Sequence, residues 1–217
     1  GPELQQLLQA AAVPPQLVRD FEGHGTHVTS IAAGSPTATW SGGVAPAAGI
    51  VFVRANLSAS AGQAPSLGYS VGHIAALEFI RIFAANQRLP VVVNVSLGMN
   101  AGAHDGTTLL EAAFDAFCDG GRAPGRVVVK SAGNEQGKRG HAQAELPANG
   151  VLTIDWTVPA NHTAAAYMEA WFDPRASLTF TLIDPMDRRS ITVDRANLSA
   201  KGELEGARYH LHLDRFH

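Results

Sequence analysis

The segment VVVNVSL, from Val91 to Leu97, decides the fold class of this 217-residue chain. An apolar run of this length is typical of a strand that is buried on both faces of a sheet. Two similar runs occur elsewhere, GIVFVR at Gly49–Arg54 and RVVVKS at Arg126–Ser131. We therefore expect three short buried strands.

Amphipathic segments with helical periodicity separate these runs, at Val71–Asn86 and Thr107–Cys118. Apolar strands that alternate with such helices indicate an α/β fold, in which helices cover both faces of a parallel sheet. In these sheets the ligand cleft lies at the carboxyl ends of the strands. This rule places three stretches on one rim: Arg54–Ser58, Ser96–Gly98 and Ala132–Asn134.

A second informative stretch is GHGTHV, from Gly23 to Val28, at the start of a predicted helix over Val28–Ala33. It sets His24 between two glycines. Small neighbours let a substrate backbone approach closely, and a helix start offers free N–H groups and the positive end of the dipole. The position therefore suits a general base in a cleft. A further short helix is expected at Glu3–Ala12.

The pattern changes near residue 150. From there onward the sequence alternates as strands do, and turn signals separate the runs. The predicted strands are Val151–Val158, Ala165–Phe172, Ser177–Ile183, Ser190–Val193 and Ala207–Leu213. This pattern indicates an antiparallel β-sandwich. We expect two domains, 1–150 and 151–217, with the second one cut within its last strand.

Composition bears on partners and on redox chemistry. The net charge of −3 leaves no basic stripe for nucleic acid, and no apolar run approaches the length of a membrane span. We therefore predict neither a nucleic-acid nor a membrane partner. The single cysteine, Cys118, excludes an internal disulfide. It follows the apolar positions of a predicted helix, so we interpret it as a packing residue rather than a nucleophile.

Four blocks follow one another along the chain: GHGTHVTSIAAG (Gly23–Gly34), GVAPAAGIVFVR (Gly43–Arg54), VVVNVSLG (Val91–Gly98) and VVVKSAGNE (Val127–Glu135). In order and spacing they resemble the subtilisin-like serine proteases. Four ordered blocks are specific, whereas His-Gly-Thr-His alone would be a weak signal. The segment HDGTTLLEAAF (His104–Phe114) and the β-rich region are similar to the branch with the clostridial spore-germination proteases. In that branch a jelly-roll domain interrupts the protease domain.

The resemblance implies an enzyme that hydrolyses peptide bonds through an acyl-enzyme, without a cofactor. His24 would be the general base and acid, and the side-chain amide of Asn134 would donate to the developing oxyanion. A peptide or protein substrate would pair with the rim as an added strand. The implied substrate-binding residues are Ser96, Leu97, Gly98, Asn56 and Gly133.

Several polar residues also have a structural interpretation. Asn134 is typical of a turn after a strand, and His27 is interpreted as a packing residue that hydrogen-bonds locally. Asp105 suits the cap of the helix that follows it. Asp20 and Glu22 provide too few carboxylates for a calcium site, so we predict no metal.

Two catalytic motifs of the family are missing from the sequence. Residues 1–23 contain no Asp-Ser/Thr-Gly, and Gly-Thr-Ser-x-Ala occurs nowhere. Asp20 is a poor substitute, because the triad carboxylate must reach the imidazole from a separate strand. We therefore expect part of a serine endopeptidase whose aspartate and serine lie on a companion segment or chain. The alternatives are a pseudoprotease that keeps the groove for binding or regulation, and an interaction protein that works through its β-rich region.

Overall fold

The computed structural model describes residues 20, 22–54, 70–98, 101–162, 165–184, 186, 188–204 and 207–214. The helix expected at residues 3–12 and the rim residue Asn56 lie outside these ranges. The chain divides into two compact units. The first comprises residues 1–100 and 109–144, and the second comprises residues 101–108 and 145–217.

The first unit contains a strand–helix–strand crossover. Its described elements are helix α1 (His24–Ala33), helix α2 (Ser70–Gln87), strand β1 (Val91–Val95), helix α3 (Leu109–Cys118) and strand β2 (Arg126–Lys130). β1 and β2 run parallel, with Val91 opposite Arg126 and Val95 opposite Lys130. The predicted parallel pairing across a helix is therefore confirmed for these two strands.

The core of this unit lies on one face of the two strands. A buried cluster joins α2, α3 and β1, and its members are Leu77, Ile80, Val93 and Phe117. Cys118 is half-buried and packs against this cluster, as expected of a packing residue. Burial of these apolar side chains holds both helices against the strands.

The opposite face of the same strands carries exposed valines. Val92 of β1 is 67% exposed, and Val127 and Val129 of β2 are 47% and 51% exposed. Among the described residues, helices therefore cover one face of the pair, and the expectation of cover on both faces is wrong for this part of the chain. A parallel pair needs apolar cover on each side, which these residues do not supply to the valine face.

The third predicted strand, Gly49–Arg54, does not pair. Every residue of it is described, and none belongs to a strand. Phe52 and Val53 are 65% and 38% exposed. A strand needs a hydrogen-bonding partner as well as an apolar run, and within the described ranges β1 and β2 pair with each other alone.

The second unit holds two antiparallel hairpins. Its strands are β3 (Phe180–Ile183), β4 (Ser190–Val193), β5 (Ser199–Leu204) and β6 (Ala207–His212). β3 pairs with β4, and β5 pairs with β6. The hairpins pack together where Gly202 of β5 meets Ile191 of β4, since a Cβ at Gly202 would come within 2.6 Å of the Ile191 side chain.

The predictions for this region are partly confirmed. β3, β4 and β6 fall within predicted strands, whereas β5 was not predicted because lysine, glycine and glutamate interrupt its alternation. The segments Val151–Val158 and Ala165–Phe172 were predicted as strands, and the structure shows none there. Val151 is 91% exposed and Tyr167 is 61% exposed. Alternation indicates which face of an extended segment is apolar, but it does not provide a partner.

A carboxylate explains why residues 101–108 belong to the second unit. Glu169 Oε2 accepts the backbone N–H of Gly102 at 3.0 Å. The same oxygen accepts the indole N–H of Trp171 at 3.0 Å. The loop is thereby bonded to a segment that follows it by more than sixty residues, since 67 positions separate Gly102 from Glu169.

Candidate active site

Helix α1 begins at His24, four residues earlier than predicted. Gly23 precedes it in the left-handed backbone conformation, with a φ of 76°, which glycine adopts without strain. The carbonyl of Gly23 accepts the N–H of His27 at 2.9 Å, the first hydrogen bond of the helix. His24 therefore lies in the first helical turn, and its side chain is exposed.

The carboxylate of Asp20 holds this helix start in place. Its Oδ1 accepts the N–H groups of Glu22 and Gly23 at 3.1 and 2.8 Å. Its Oδ2 accepts the N–H and the hydroxyl of Thr26 at 3.0 and 2.7 Å. The Thr26 hydroxyl, followed by the N–H groups of Thr26 and Gly23, lowers the pKa of Asp20 to about 2. Asp20 is thus an anionic cap that positions the turn carrying His24.

Asp20 therefore has a capping role that the sequence-based interpretations, as a triad or a calcium residue, did not include. A usable signal was present, because an aspartate shortly before a predicted helix is a common start signal. The helix boundary predicted at Val28, four residues late, concealed that signal.

At the other candidate region, the carboxyl ends of β1 and β2 lie side by side. The N–H of Ser131 donates to the carbonyl of Val95 at 3.1 Å, which extends the ladder by one residue. The Ser131 hydroxyl donates to the carbonyl of Leu97 at 3.2 Å. A Cβ at Gly98 would lie 3.8 Å from Cα of Gly133. The structure therefore brings two of the three predicted rim segments together.

The end of this rim is open to solvent. Gly133 has a φ of 91°, and a Cβ built there would meet nothing within 4 Å. Asn134 follows it in a bend and is exposed. On the neighbouring strand end, the amide of Asn94 donates to the Ser96 hydroxyl at 3.0 Å, which orients that side chain. The rim thus combines open space beside the backbone with an accessible amide.

Lys130 adds a positive charge to the rim and was not among the predicted site residues. Its Nζ donates to the carbonyl of Ser131 at 2.9 Å. The same nitrogen would lie 3.5 Å from a Cβ at Gly98. An ammonium group between the two strand ends favours negative charge on a bound ligand. The sequence did contain a signal for this residue, because a lysine directly after three valines indicates a charge at the carboxyl end of a buried strand.

The structure does not bring His24 into contact with this rim. Over the described residues, α1 packs against neither β1 nor β2. A Cβ at Gly25, beside His24, would instead lie 3.3 Å from the ring of Phe52. Asn56 lies outside the described residues. The site residues that the structure groups are Ser96, Leu97, Gly98, Gly133 and Asn134.

The remaining polar candidates have local roles or none in the structure. Asp105 accepts the N–H and the hydroxyl of Thr107 at 2.9 and 2.6 Å, and this hydroxyl is the main cause of its lowered pKa. It closes a turn, in line with its structural interpretation, although α3 begins later, at Leu109. His27 is exposed rather than packed, because α1 buries none of its residues.

The described ranges contain neither a metal-ligand cluster nor a membrane-spanning helix. No three histidine, cysteine or acidic side chains are grouped there as ligands for a metal ion. None of the helices in the same ranges combines the length and the apolar character needed to cross a membrane.

A parallel crossover between helices defines an α/β protein, and in such sheets ligands bind at the carboxyl ends of the strands. The model of the subtilase family matches residues 9–170, more than half of the chain. The chain belongs to the subtilase family. Subtilases are serine peptidases, and the family match assigns the chain to that class of enzyme at the level of the family. No curated protein matches the chain, and no solved structure matches it.

Proposed function

We propose that the chain contributes the histidine and the oxyanion donor to a subtilisin-like serine endopeptidase. One observation carries the proposal. Within the range matched to the subtilase family, the strand ends that contain Gly98 and Gly133 adjoin each other at the edge of a parallel pair. The catalytic aspartate and serine come from a companion segment or chain.

His24 acts as the general base. It takes the proton of the serine hydroxyl during attack on the scissile carbonyl and returns it to the leaving amine. Exposure at the start of α1 lets the imidazole meet a nucleophile from another segment. Asp20 cannot orient that imidazole, because both of its oxygens are bonded to the backbone and hydroxyl groups of the helix start.

Asn134 stabilises the oxyanion. Its side-chain amide donates to the carbonyl oxygen as negative charge develops there, and such a donor acts mainly in the transition state. The Nζ of Lys130 adds positive potential at the same rim. No cofactor takes part in acyl-enzyme chemistry of this kind.

The substrate is an extended peptide that pairs with the rim as an added strand. Ser96, Leu97 and Gly98 offer backbone groups on one side, and Gly133 leaves room for substrate main chain. The carbonyl of Leu97 accepts the Ser131 hydroxyl and keeps a second lone pair for a peptide N–H. The family resemblance assigns Asn56, which lies outside the described residues, to the opposite wall. Main-chain pairing favours broad peptide recognition.

The placement within the family and the second domain remain part of this proposal. We assign the chain to the branch with the spore-germination proteases, and residues 151–217 to a jelly-roll insertion. Two antiparallel hairpins that pack at Gly202 and Ile191 support this reading. Within the described residues these hairpins supply four strands, half of the eight in a jelly roll.

The test is chemical labelling of the full-length product of the gene that encodes this chain. A fluorophosphonate probe should label a serine of that product, and His24→Ala should reduce labelling and peptide cleavage by at least about 10⁴-fold, since base and nucleophile act as a unit. His162→Ala, a change at an exposed histidine, is the control and should leave both unchanged. If the probe labels the His24→Ala variant as strongly as the wild type, His24 is not the general base.

A second variant separates catalysis from binding. Asn134→Ala should lower kcat about 10²- to 10³-fold, the loss known for such a donor in subtilisin, with little change in peptide affinity. A loss of affinity with unchanged kcat would refute the oxyanion role. Retained peptide binding without any labelled serine would identify a pseudoprotease instead.

A further inference from the structure

A cavity of about 630 Å³ lies at the amino ends of β1 and β2, at the opposite ends of these strands from the candidate active site. One side is the last turn of α2 and the turn after it, and the other is the turn that leads into β2. The lining residues are Arg81, Ala84, Ala85, Arg88, Leu89, Pro90, Val91, Pro124, Gly125 and Arg126.

The charge of this lining is entirely positive. Three arginines and no acidic residue contribute to it. Arg81 forms a bidentate pair with Glu78, with both distances at 2.7 Å. Arg88 and Arg126 have no carboxylate partner among the described residues. Two guanidinium charges therefore line one cavity without a counter-charge from this part of the chain.

Helix capping does not explain this arrangement. A cation near a helix C-terminus does complement the dipole, and Arg88 directly follows α2. The backbone already caps that end, however, since the N–H groups of Arg88 and Leu89 donate to the carbonyls of Ala85 and Ala84 at 3.1 Å. Arg126 comes from β2 and has no helix end to cap.

The remaining lining residues and the size of the cavity indicate what kind of anionic ligand would fit. Alanine, leucine, proline and valine side chains make up most of the remaining lining. A volume of this size is typical of sites for ligands much larger than a single oxyanion. Arginine binds carboxylates through its planar fork, in two parallel hydrogen bonds.

We infer that this cavity binds an acidic peptide segment whose carboxylates meet Arg88 and Arg126 and whose apolar side chains lie on the alanine and proline walls. The site is separate from the groove for peptide cleavage, so it recruits or anchors a segment that is not cut there. The inference does not depend on the proposed peptidase activity, because binding at this end of the strands needs neither His24 nor Asn134.

The experiment measures fluorescence anisotropy with the purified chain at low salt. The probe is a fluorescein-labelled peptide of sequence Leu-Glu-Glu-Leu-Glu, and its comparison peptide has glutamine in place of each glutamate. We expect the glutamate peptide to bind at least about tenfold more tightly. Arg88→Gln and Arg126→Gln should each weaken its binding about five- to tenfold.

The matched control is Arg122→Gln. Arg122 is exposed, pairs with Asp119 at 3.1 Å and does not line the cavity, so its loss should change affinity less than twofold. Arg88→Lys and Arg126→Lys keep the charge but lose the planar fork, so their losses of affinity should lie between the wild type and the glutamine variants. Circular dichroism of each variant reports whether the fold is kept.

Four results would overturn the inference, and the first three concern affinity. These three are equal affinity for the glutamate and glutamine peptides, a loss in Arg122→Gln as large as in Arg88→Gln, and equal losses in the lysine and glutamine variants. Displacement of the peptide by inorganic phosphate at the same concentration as by unlabelled peptide would also overturn it, because that would define a small-anion site. A failure of fluorophosphonate labelling leaves each of these outcomes unaffected.

Discussion

Two residues that take no part in bond making determine how the candidate base is held. Asp20 binds the backbone of the helix start through both carboxylate oxygens, and Gly23 supplies the left-handed turn before His24. A displacement of about 1 Å at a reacting group can cost about 100-fold in rate. Positioning residues at this turn should therefore affect both stability and catalysis.

Replacing Gly23 tests the turn. Gly23→Ala should lower the free energy of unfolding by about 1 kcal/mol, because an L side chain at a φ of 76° is strained even in open space. Urea denaturation measures this loss. Gly49→Ala is the matched control, since a Cβ there also meets nothing within 4 Å and the backbone is not left-handed. Equal losses of unfolding free energy in the two variants would show that the left-handed backbone at Gly23 causes no strain.

Replacing Asp20 tests the cap. Asp20→Asn keeps one acceptor oxygen but replaces the other with an N–H₂ group, which in either orientation faces a backbone N–H of the helix start. The Tm at pH 7 should fall by a few degrees. Asp119→Asn, at an exposed carboxylate that pairs with Arg122 on the surface, is the control and should have a smaller effect.

The cap also predicts a pH dependence. The pKa of Asp20 is about 2 in the folded chain, below the value of about 3.9 for an unfolded aspartate. The ionised group therefore stabilises the fold above about pH 4, and this contribution is lost as the pH falls from about 4 to 2. The Tm difference between wild type and Asp20→Asn should be constant from pH 7 to 5 and shrink below pH 4. A difference that persists unchanged at pH 2 would contradict the cap.

At the scale of elements, a predicted strand formed only where a partner strand was available to pair with it. β1 and β2 follow from apolar runs on either side of one amphipathic helix, which implies a crossover and hence a parallel pair. The run Gly49–Arg54 is just as apolar and stays unpaired. Run length and hydropathy carry no information about which partner is within reach.

The rim, too, has one part that could be predicted from the sequence and one that could not. Topology alone predicts that Ser96–Gly98 and Ala132–Asn134 are neighbours, because parallel strands end at the same edge. The contacts of Lys130 and Ser131 could not be predicted, since they depend on side-chain rotamers and on distances of about 3 Å. The predicted placement of His24 at a helix start needed only a local pattern, whereas its relation to the rim is a tertiary property.

The buried cluster gives a prediction for α3. Phe117 is 4% exposed and belongs to the cluster that joins α3 to α2 and β1. Phe117→Ala should lower the free energy of unfolding by about 3–5 kcal/mol, because it leaves a cavity in the core. Phe79→Ala on α2 is the control, since that ring is 45% exposed, and its loss should be less than half as large. Similar losses from urea denaturation would contradict the position of the core.

At the scale of the whole molecule, an exposed connection between elements predicts where a protease cuts. Residues 131–144 of the first unit are exposed and contain no helix or strand. Limited digestion with trypsin should therefore cleave, within the described ranges, after Lys138 or Arg139 before it cleaves within β2 at Arg126. Intact-mass spectrometry of the first fragments identifies the cut. Early cleavage after Arg126 would contradict the pairing of β2 with β1.

The bond between Gly102 and Glu169 has a consequence for the order in which the chain is made. Synthesis proceeds at about 5–20 residues per second, and 67 positions separate the two partners. The loop at residues 101–108 therefore leaves the ribosome about 3–13 seconds before its anchor does. β2 emerges during that interval, so β1 and β2 can pair before the hydrogen bond between Gly102 and Glu169 forms. A synonymous codon change that slows translation before Glu169 would lengthen this interval without altering a single residue.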